Sequence, residues 1–126
     1  MIEHLNKLEQ KIGVKFKNKE LLIKSLIHKS HNNTENNEKL EFLGDRVLGL
    51  VFAKTLLKIY PNEKEGIIDK KFANLVNKKT CLLVAKKLDL KKFITTGGSY
   101  KGLSRSDDKI ISDGLEALLG AIFLDQ

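Results

Sequence analysis

The sequence has little of what would build a disulfide-stapled, zinc-bound or β-rich protein. Its single cysteine, Cys81, excludes an intrachain disulfide. One cysteine and three histidines offer no zinc-ligand spacing. Cys81 sits in the apolar run Cys81-Leu82-Leu83-Val84-Ala85 and reads as a core residue. There is one proline, Pro61, and no stretch alternates apolar and polar residues as a strand does. No apolar run approaches the roughly 20 residues of a membrane span. Met1-Ile2-Glu3-His4 has neither the basic n-region nor the apolar h-region of a secretory signal. A soluble, cytoplasmic protein with no membrane association is expected.

What is present is helical and charged. A chain of 126 residues suits one domain with a modest core. With 41% apolar and 31% charged residues, it is globular rather than disordered. Apolar spacing predicts helices over residues 2–12, stopped by Gly13, and from an N-cap at Asn18 through Leu26. Further helices are expected over residues 38–59, ended by Pro61, over 65–78 and 80–88, and from about Lys109 onward. Residues 28–37 and 95–108 read as loops, the second holding Gly97, Gly98 and Gly102. The expected fold class is all-α, with no internal repeat and no dividing linker.

The segment Asn37-Glu38-Lys39-Leu40-Glu41-Phe42-Leu43-Gly44-Asp45-Arg46-Val47-Leu48 carries the most information. On a helix, Glu38, Glu41 and Asp45 fall within an arc of about 60°. Leu40, Leu43, Val47 and Leu50 lie on the other side, so an acidic face backs onto an apolar one. Residues 110–122 repeat the arrangement. Asp113 and Glu116 share a face, with Leu115, Leu118, Leu119 and Ile122 opposite. Gly49 and Gly120 lie on the two acidic sides. A glycine inside a helix costs up to about 1 kcal/mol relative to alanine, so these two are expected to mark a close approach that gathers at least four carboxylates.

Two carboxylates 4 Å apart repel by about 1 kcal/mol in water and about 4 kcal/mol at an effective dielectric of 20. Protonation of one acid or a divalent cation would offset this. All-oxygen ligands favour Mg²⁺, Mn²⁺ or Ca²⁺ over zinc. For either stripe alone, a solvated acidic surface is the simpler alternative. The net charge is +7, from 23 basic and 16 acidic residues, with lysines clustered at Lys15-Phe16-Lys17, Lys70-Lys71, Lys78-Lys79, Lys86-Lys87 and Lys91-Lys92. A basic surface around an acidic pocket suits a polyanionic substrate; a lysine-rich composition without nucleic-acid meaning is the alternative.

Residues 37–48 resemble the signature of bacterial ribonuclease III, the enzymes that cut double-stranded RNA. Ser25-Leu26-Ile27-His28-Lys29-Ser30 is similar to the family segment before it, Pro61 with Glu65-Gly66 to the loop after it, and Lys79-Thr80-Cys81-Leu82-Leu83-Val84-Ala85 to a following helix. Residues 110–125 are similar to the second acidic motif. The resemblance spans about residues 20–126, in order.

The resemblance implies a ribonuclease III endonuclease domain over residues 1–126, acting as a homodimer on double-stranded RNA. By position, Glu41, Asp113 and Glu116 would hold Mg²⁺, with Mn²⁺ a substitute. Asp45 and Glu116 would be catalytic, Glu38 and Glu65 supporting acids, and Phe42 a dimer contact. It implies processing of rRNA and mRNA precursors, with products carrying 5′-phosphate and 3′-hydroxyl ends and short 3′ overhangs. Before the second motif one glycine of the family's usual pair is replaced by Lys101, and Asp107 and Asp108 add negative charge. Lys101, Arg105 and Lys109 are the residues expected to touch RNA phosphate. His28 is expected to be structural. The usual double-stranded-RNA-binding domain has no counterpart in this sequence, and the C-terminal end reads as short. The competing expectation is a non-catalytic RNA-binding or ribosome-associated relative of the same fold.

Overall fold

The computed structural model describes residues 2–97 and 107–126. Among these residues six helices carry the fold: α1 (Ile2–Ile12), α2 (Lys19–Ser25), α3 (Glu38–Ile59), α4 (Glu65–Leu75), α5 (Lys78–Lys87) and α6 (Asp108–Asp125), with a short 3₁₀ turn at Leu90–Phe93 between the last two. Among the described residues the β content is a single isolated parallel bridge between Ile27 and Thr95. The all-α expectation holds, and no helix among these residues is long and apolar enough to cross a membrane.

The helix ends follow local chemistry. Gly13, at φ +72°, ends α1 in a left-handed conformation that other residues adopt at a cost. Asn18 caps α2 by accepting from the Glu20 N–H at 3.0 Å. At α3 the N-cap position is Asn37, but the side-chain acceptor comes from Asn36, whose Oδ1 accepts from the Glu38 N–H at 3.0 Å. Asn37 is turned inward and donates its side-chain amide to the Ser25 carbonyl. At the far end the Tyr60 N–H makes the last helical bond, to Leu56, and Pro61 has none to give.

Residues 65–88 differ from expectation at their middle. α4 stops at Leu75, and α5 starts at Lys78 rather than at Thr80. Asn77 makes the break: it is extended (φ −144°, ψ 166°) and its side chain accepts from the Thr80 N–H at 2.9 Å.

α6 is the central element. Residues 111–118 are all buried, the acids Asp113 and Glu116 included, because α3, α5 and α2 pack around it. The core joins Leu115, Leu118 and Ala121 of α6 to Leu5 and Leu8 of α1, Leu22 of α2, Leu40 of α3, and Cys81 and Ala85 of α5. Each fully buried leucine contributes about 1.5–3 kcal/mol. The Asp125 carboxylate accepts from the Lys17 and Asn18 N–H groups at 2.9 and 2.8 Å, fastening the end of α6 to the start of α2.

The core side of α3 is not the one that its leucine pattern predicts. Leu40, Gly44 and Leu48 face the core, while Leu50 is 67% exposed. Phe42 and Leu57 are exposed with it. At 100° per residue these three lie within about 80° of one another, leaving an open apolar strip along the helix. The acidic stripe runs between that strip and the core.

Candidate active site

A steric constraint sets the site. A Cβ on Gly44 would fall 1.6 Å from the Glu116 carbonyl oxygen, and one on Gly120 would fall 2.2 Å from the Leu40 carbonyl oxygen. Only glycine fits at either place, so α3 and α6 meet backbone to backbone. The expected pair was Gly49 with Gly120. Gly49 instead faces α4, its Cβ position 3.5 Å from the Phe72 ring. It lies about 140° around α3 from Gly44, on the far side of the acids.

This contact brings the two acidic motifs together. Glu38 and Glu41 line two adjoining clefts. The smaller, about 60 Å³, also takes in His28, Lys109 and Asp113. The larger, about 370 Å³, takes in Asp45, Lys78 and Glu116, with Phe42 at its rim. Asp113 and Glu116 are buried, Glu41 is half-buried, and Glu38 and Asp45 are exposed. Glu65 is not brought to them within one chain: it sits in the first turn of α4 and lines neither cleft. Phe42 lies outside the core, 62% exposed, with the Arg46 guanidinium 3.8 Å above its ring. Lys101 and Arg105 lie outside the described residues.

Sequence reasoning missed the lysine that completes the site. Lys78, the first residue of α5, donates from its ammonium to Asp113 Oδ1 and, at 2.7 Å, to Glu116 Oε1. Lys109, expected on RNA phosphate, has its ammonium 2.5 Å from Asp113 Oδ2, four residues along α6. Lysine at the positive end of a helix opposes the helix dipole by about 0.3–1 kcal/mol, and here the acids offset that. The Asn77-Lys78-Lys79-Thr80 cap was the available signal, since it starts α5 at Lys78 and so aims that side chain at α6.

The charges respond to this arrangement. Burial pushes the Glu41 carboxyl up, and the Asp113 charge adds to it. Burial also pushes Glu116 up; Lys78 opposes this and the nearby Asp45 carboxyl reinforces it. Burial acts the same way on Asp113, but the Lys109 and Lys78 hydrogen bonds outweigh it and hold that carboxyl below the usual range. Burial disfavours the Lys78 ammonium, yet Asp113 and Glu116 more than offset this and keep it firmly protonated. His28 is held below its usual value by burial and then by Lys29; its Nδ1 lies 2.7 Å from the Ser30 hydroxyl. It forms part of the cleft wall, its ring held by Ser30.

Among the described residues no three carboxylate, imidazole or thiol groups are disposed to hold an ion as they stand; the Lys78 ammonium bridges two of the acids. The donor set still fits a hard divalent cation. It is all oxygen, two of its carboxylates are buried on one helix, and positive charge already rests on both.

Comparison with known proteins gives the family and the fold. The Ribonuclease-III-like family matches residues 18–126. Ribonuclease 3 of Pelagibacter ubique is 57% identical over 120 residues, which are 95% of this chain and 54% of that protein. Ribonuclease 3 of Azotobacter vinelandii is 41% identical over 126 residues, 99% of this chain and 55% of that one. The crystallised nuclease domain of ribonuclease III from Campylobacter jejuni superposes with a TM-score of 0.83 at 41% identity, covering 94% of this chain and 84% of that domain; its structure shows flexibility in a region involved in dimer formation. The chain belongs to the ribonuclease III family, and its fold is that of the family's nuclease domain. It spans about half the length of the curated relatives it matches.

Proposed function

We propose that this domain hydrolyses phosphodiester bonds of double-stranded RNA as a Mg²⁺-dependent endonuclease, working as a homodimer. The observation that carries this reading is the Gly44–Gly120 backbone contact, which brings Glu41 and Asp45 of α3 to Asp113 and Glu116 of α6. In this reading Glu41, Asp113 and Glu116 hold Mg²⁺, or Mn²⁺ in its place. A cation so held stabilises charge on the phosphoryl oxygens and lowers the pKa of a water molecule.

The chain's own groups do the rest. Asp45, exposed at the cleft mouth, accepts a hydrogen bond from the attacking water and orients it. The water's oxygen bonds to phosphorus as the bond to the 3′ oxygen breaks; the proton the water loses passes through solvent to the 3′ oxygen, which leaves as a hydroxyl, and the phosphate stays on the 5′ end. No protein nucleophile is needed. Cys81 is buried and its thiol is pushed up by burial and then by Glu116, so it stays protonated. Glu38 adds negative charge where the two clefts adjoin. Lysines around the clefts meet RNA phosphates, and A-form shape and 2′-hydroxyls account for selection of duplex RNA.

The open strip of Phe42, Leu50 and Leu57 beside the acids is the surface on which a second copy packs. Glu65 reaches a cleavage site only if that site is shared between subunits. Two sites side by side cut both strands and leave short 3′ overhangs. RNA precursors in the cytoplasm are the substrates this reading implies.

Incubation of a long uniform RNA duplex at low salt, with Mg²⁺ or with EDTA, tests the proposal. Short duplex products bearing 5′-phosphates, with Mg²⁺ only, are expected. Duplex binding without cleavage would favour the non-catalytic relative.

A further inference from the structure

Lys78 opens α5, where the helix dipole disfavours a cation, and its ammonium nevertheless reaches across to two carboxylates of another helix, Asp113 and Glu116. Lys79 beside it is exposed and pairs with neither acid. The side chain of Lys78 is 57% exposed, while those of Asp113 and Glu116 are 11% and 4% exposed. The acids are therefore fixed in the protein and the lysine is fixed only by them.

We propose that Lys78 is a resident counter-ion of the acidic cluster, holding the place on Asp113 and Glu116 that a divalent cation takes and swinging out to solvent when the cation enters. This inference rests on the reading of the cluster as a metal site. Three features support an exchange over a permanent bridge. The ammonium is a compact charge on a flexible four-carbon stem, and more than half of that side chain already faces water. Lys109, on α6 itself, pairs with Asp113 through its other oxygen, Oδ2, so the cluster keeps one positive neighbour when Lys78 leaves. Glu116, by contrast, has Lys78 as its sole ion-pair partner among the described residues, so the metal meets its least compensated ligand where Lys78 departs.

Two consequences follow. The acids stay gathered without metal, because the ammonium limits their repulsion. The metal binds more weakly than the bare cluster would allow, since its apparent affinity is reduced by the fraction of molecules in which the site is vacated. If the ammonium occupies the site about nine-tenths of the time, the reduction is about tenfold.

Mn²⁺ binding by electron paramagnetic resonance, with thermal unfolding in EDTA and in Mn²⁺, tests this on the 126-residue chain and its Lys78→Met, Lys78→Arg and Lys79→Met variants, each checked for native helix content by circular dichroism. Lys78→Met should bind Mn²⁺ about tenfold more tightly, melt lower than wild type in EDTA, and gain more from Mn²⁺. Lys79→Met, which removes the same charge one residue away, should stay within about twofold. Lys78→Arg, whose guanidinium pairs carboxylates through two parallel bonds, should bind more weakly than wild type; if Lys78→Met does not fold in EDTA, Arg binding as tightly as wild type overturns the proposal. Equal affinity in wild type and Lys78→Met, or an equal gain from Lys79→Met, overturns the exchange and leaves the metal site standing. Absence of Mn²⁺ binding in folded wild type and folded Lys78→Met alike overturns the metal site itself, and the exchange with it.

Discussion

Gly44 lies so close to Glu116 that a methyl group on its Cα would sit 1.6 Å from the Glu116 carbonyl oxygen. The obstacle is backbone, which no rotamer change relieves. Gly44→Ala must therefore push α3 and α6 apart, at a cost of about 3 kcal/mol or more, and separate Glu41 from Asp113 and Glu116. Gly49→Ala is the contrast: its methyl would meet only the Phe72 ring, at 3.5 Å, and it gains up to about 1 kcal/mol of helix propensity. Urea denaturation of both variants checks this. A Gly44→Ala protein as stable as Gly49→Ala would remove the helix contact from the argument for the site.

Glu116→Gln is expected to lower cleavage of duplex RNA by at least about 100-fold, because an amide is a poor ligand for a hard cation and cannot replace the carboxylate's charge. Folding should survive. Burial and the neighbouring Asp45 already disfavour the Glu116 charge, so the neutral isostere removes repulsion as well as the Lys78 pair. Cleavage rates measured beside circular dichroism and duplex-binding titrations separate the two effects. Wild-type cleavage by this variant would sink the site assignment.

The legible parts of this chain were those written in local chemistry. Gly13, Asn18 and Pro61 fixed the limits of α1, α2 and α3, and the spacing of Glu38, Glu41, Asp45, Asp113 and Glu116 placed the acids. What was hidden depended on which way the helices turn. Leucine spacing cannot distinguish a face that meets the core from one left open, so Leu50 was expected inside and lies outside. Gly44 and Gly49 look alike in sequence, and only the contact with Gly120 separates them. Lys78 joins the site because α5 starts at Lys78, two residues before its expected start, and a lysine run gives no sign of which member finds a carboxylate.

Glu9 shows how pH should act on stability away from the cleft. It is buried, and its carboxylate accepts from the Phe16 N–H at 2.6 Å and from the Lys19 ammonium. Burial pushes its pKa up, but Lys19 and the Phe16 N–H outweigh this and hold it below the usual range. A lowered folded-state value contributes stability above the unfolded value of 4.5, and that contribution is lost as pH falls through the folded value. Glu9→Gln should therefore lose about 1 kcal/mol at pH 7 and little at a pH below the folded value. Urea titrations at a series of pH values from 7 downward measure the difference; a loss that does not shrink as pH falls through the folded value would show that the ionised form of Glu9 is not what stabilises the turn after α1.

Phe42 separates folding from assembly. Its ring is 62% exposed, and the guanidinium of Arg46, itself a surface residue four positions along α3, stacks on it. Removing the ring therefore costs the isolated chain little, since exposed side chains contribute within about 0.5 kcal/mol. If the strip of Phe42, Leu50 and Leu57 is where two copies meet, the same ring becomes a buried aromatic anchor. Such anchors contribute about 2 kcal/mol or more to association, roughly thirtyfold in the dissociation constant. Phe42→Ala should leave the urea midpoint nearly unchanged at low concentration while shifting sedimentation at low micromolar concentration from dimer toward monomer. Cleavage should then fall with dilution more steeply than in wild type. An unaltered sedimentation profile would place the dimer contact elsewhere, whereas a large loss of stability in a monomeric sample would show that the ring supports the fold.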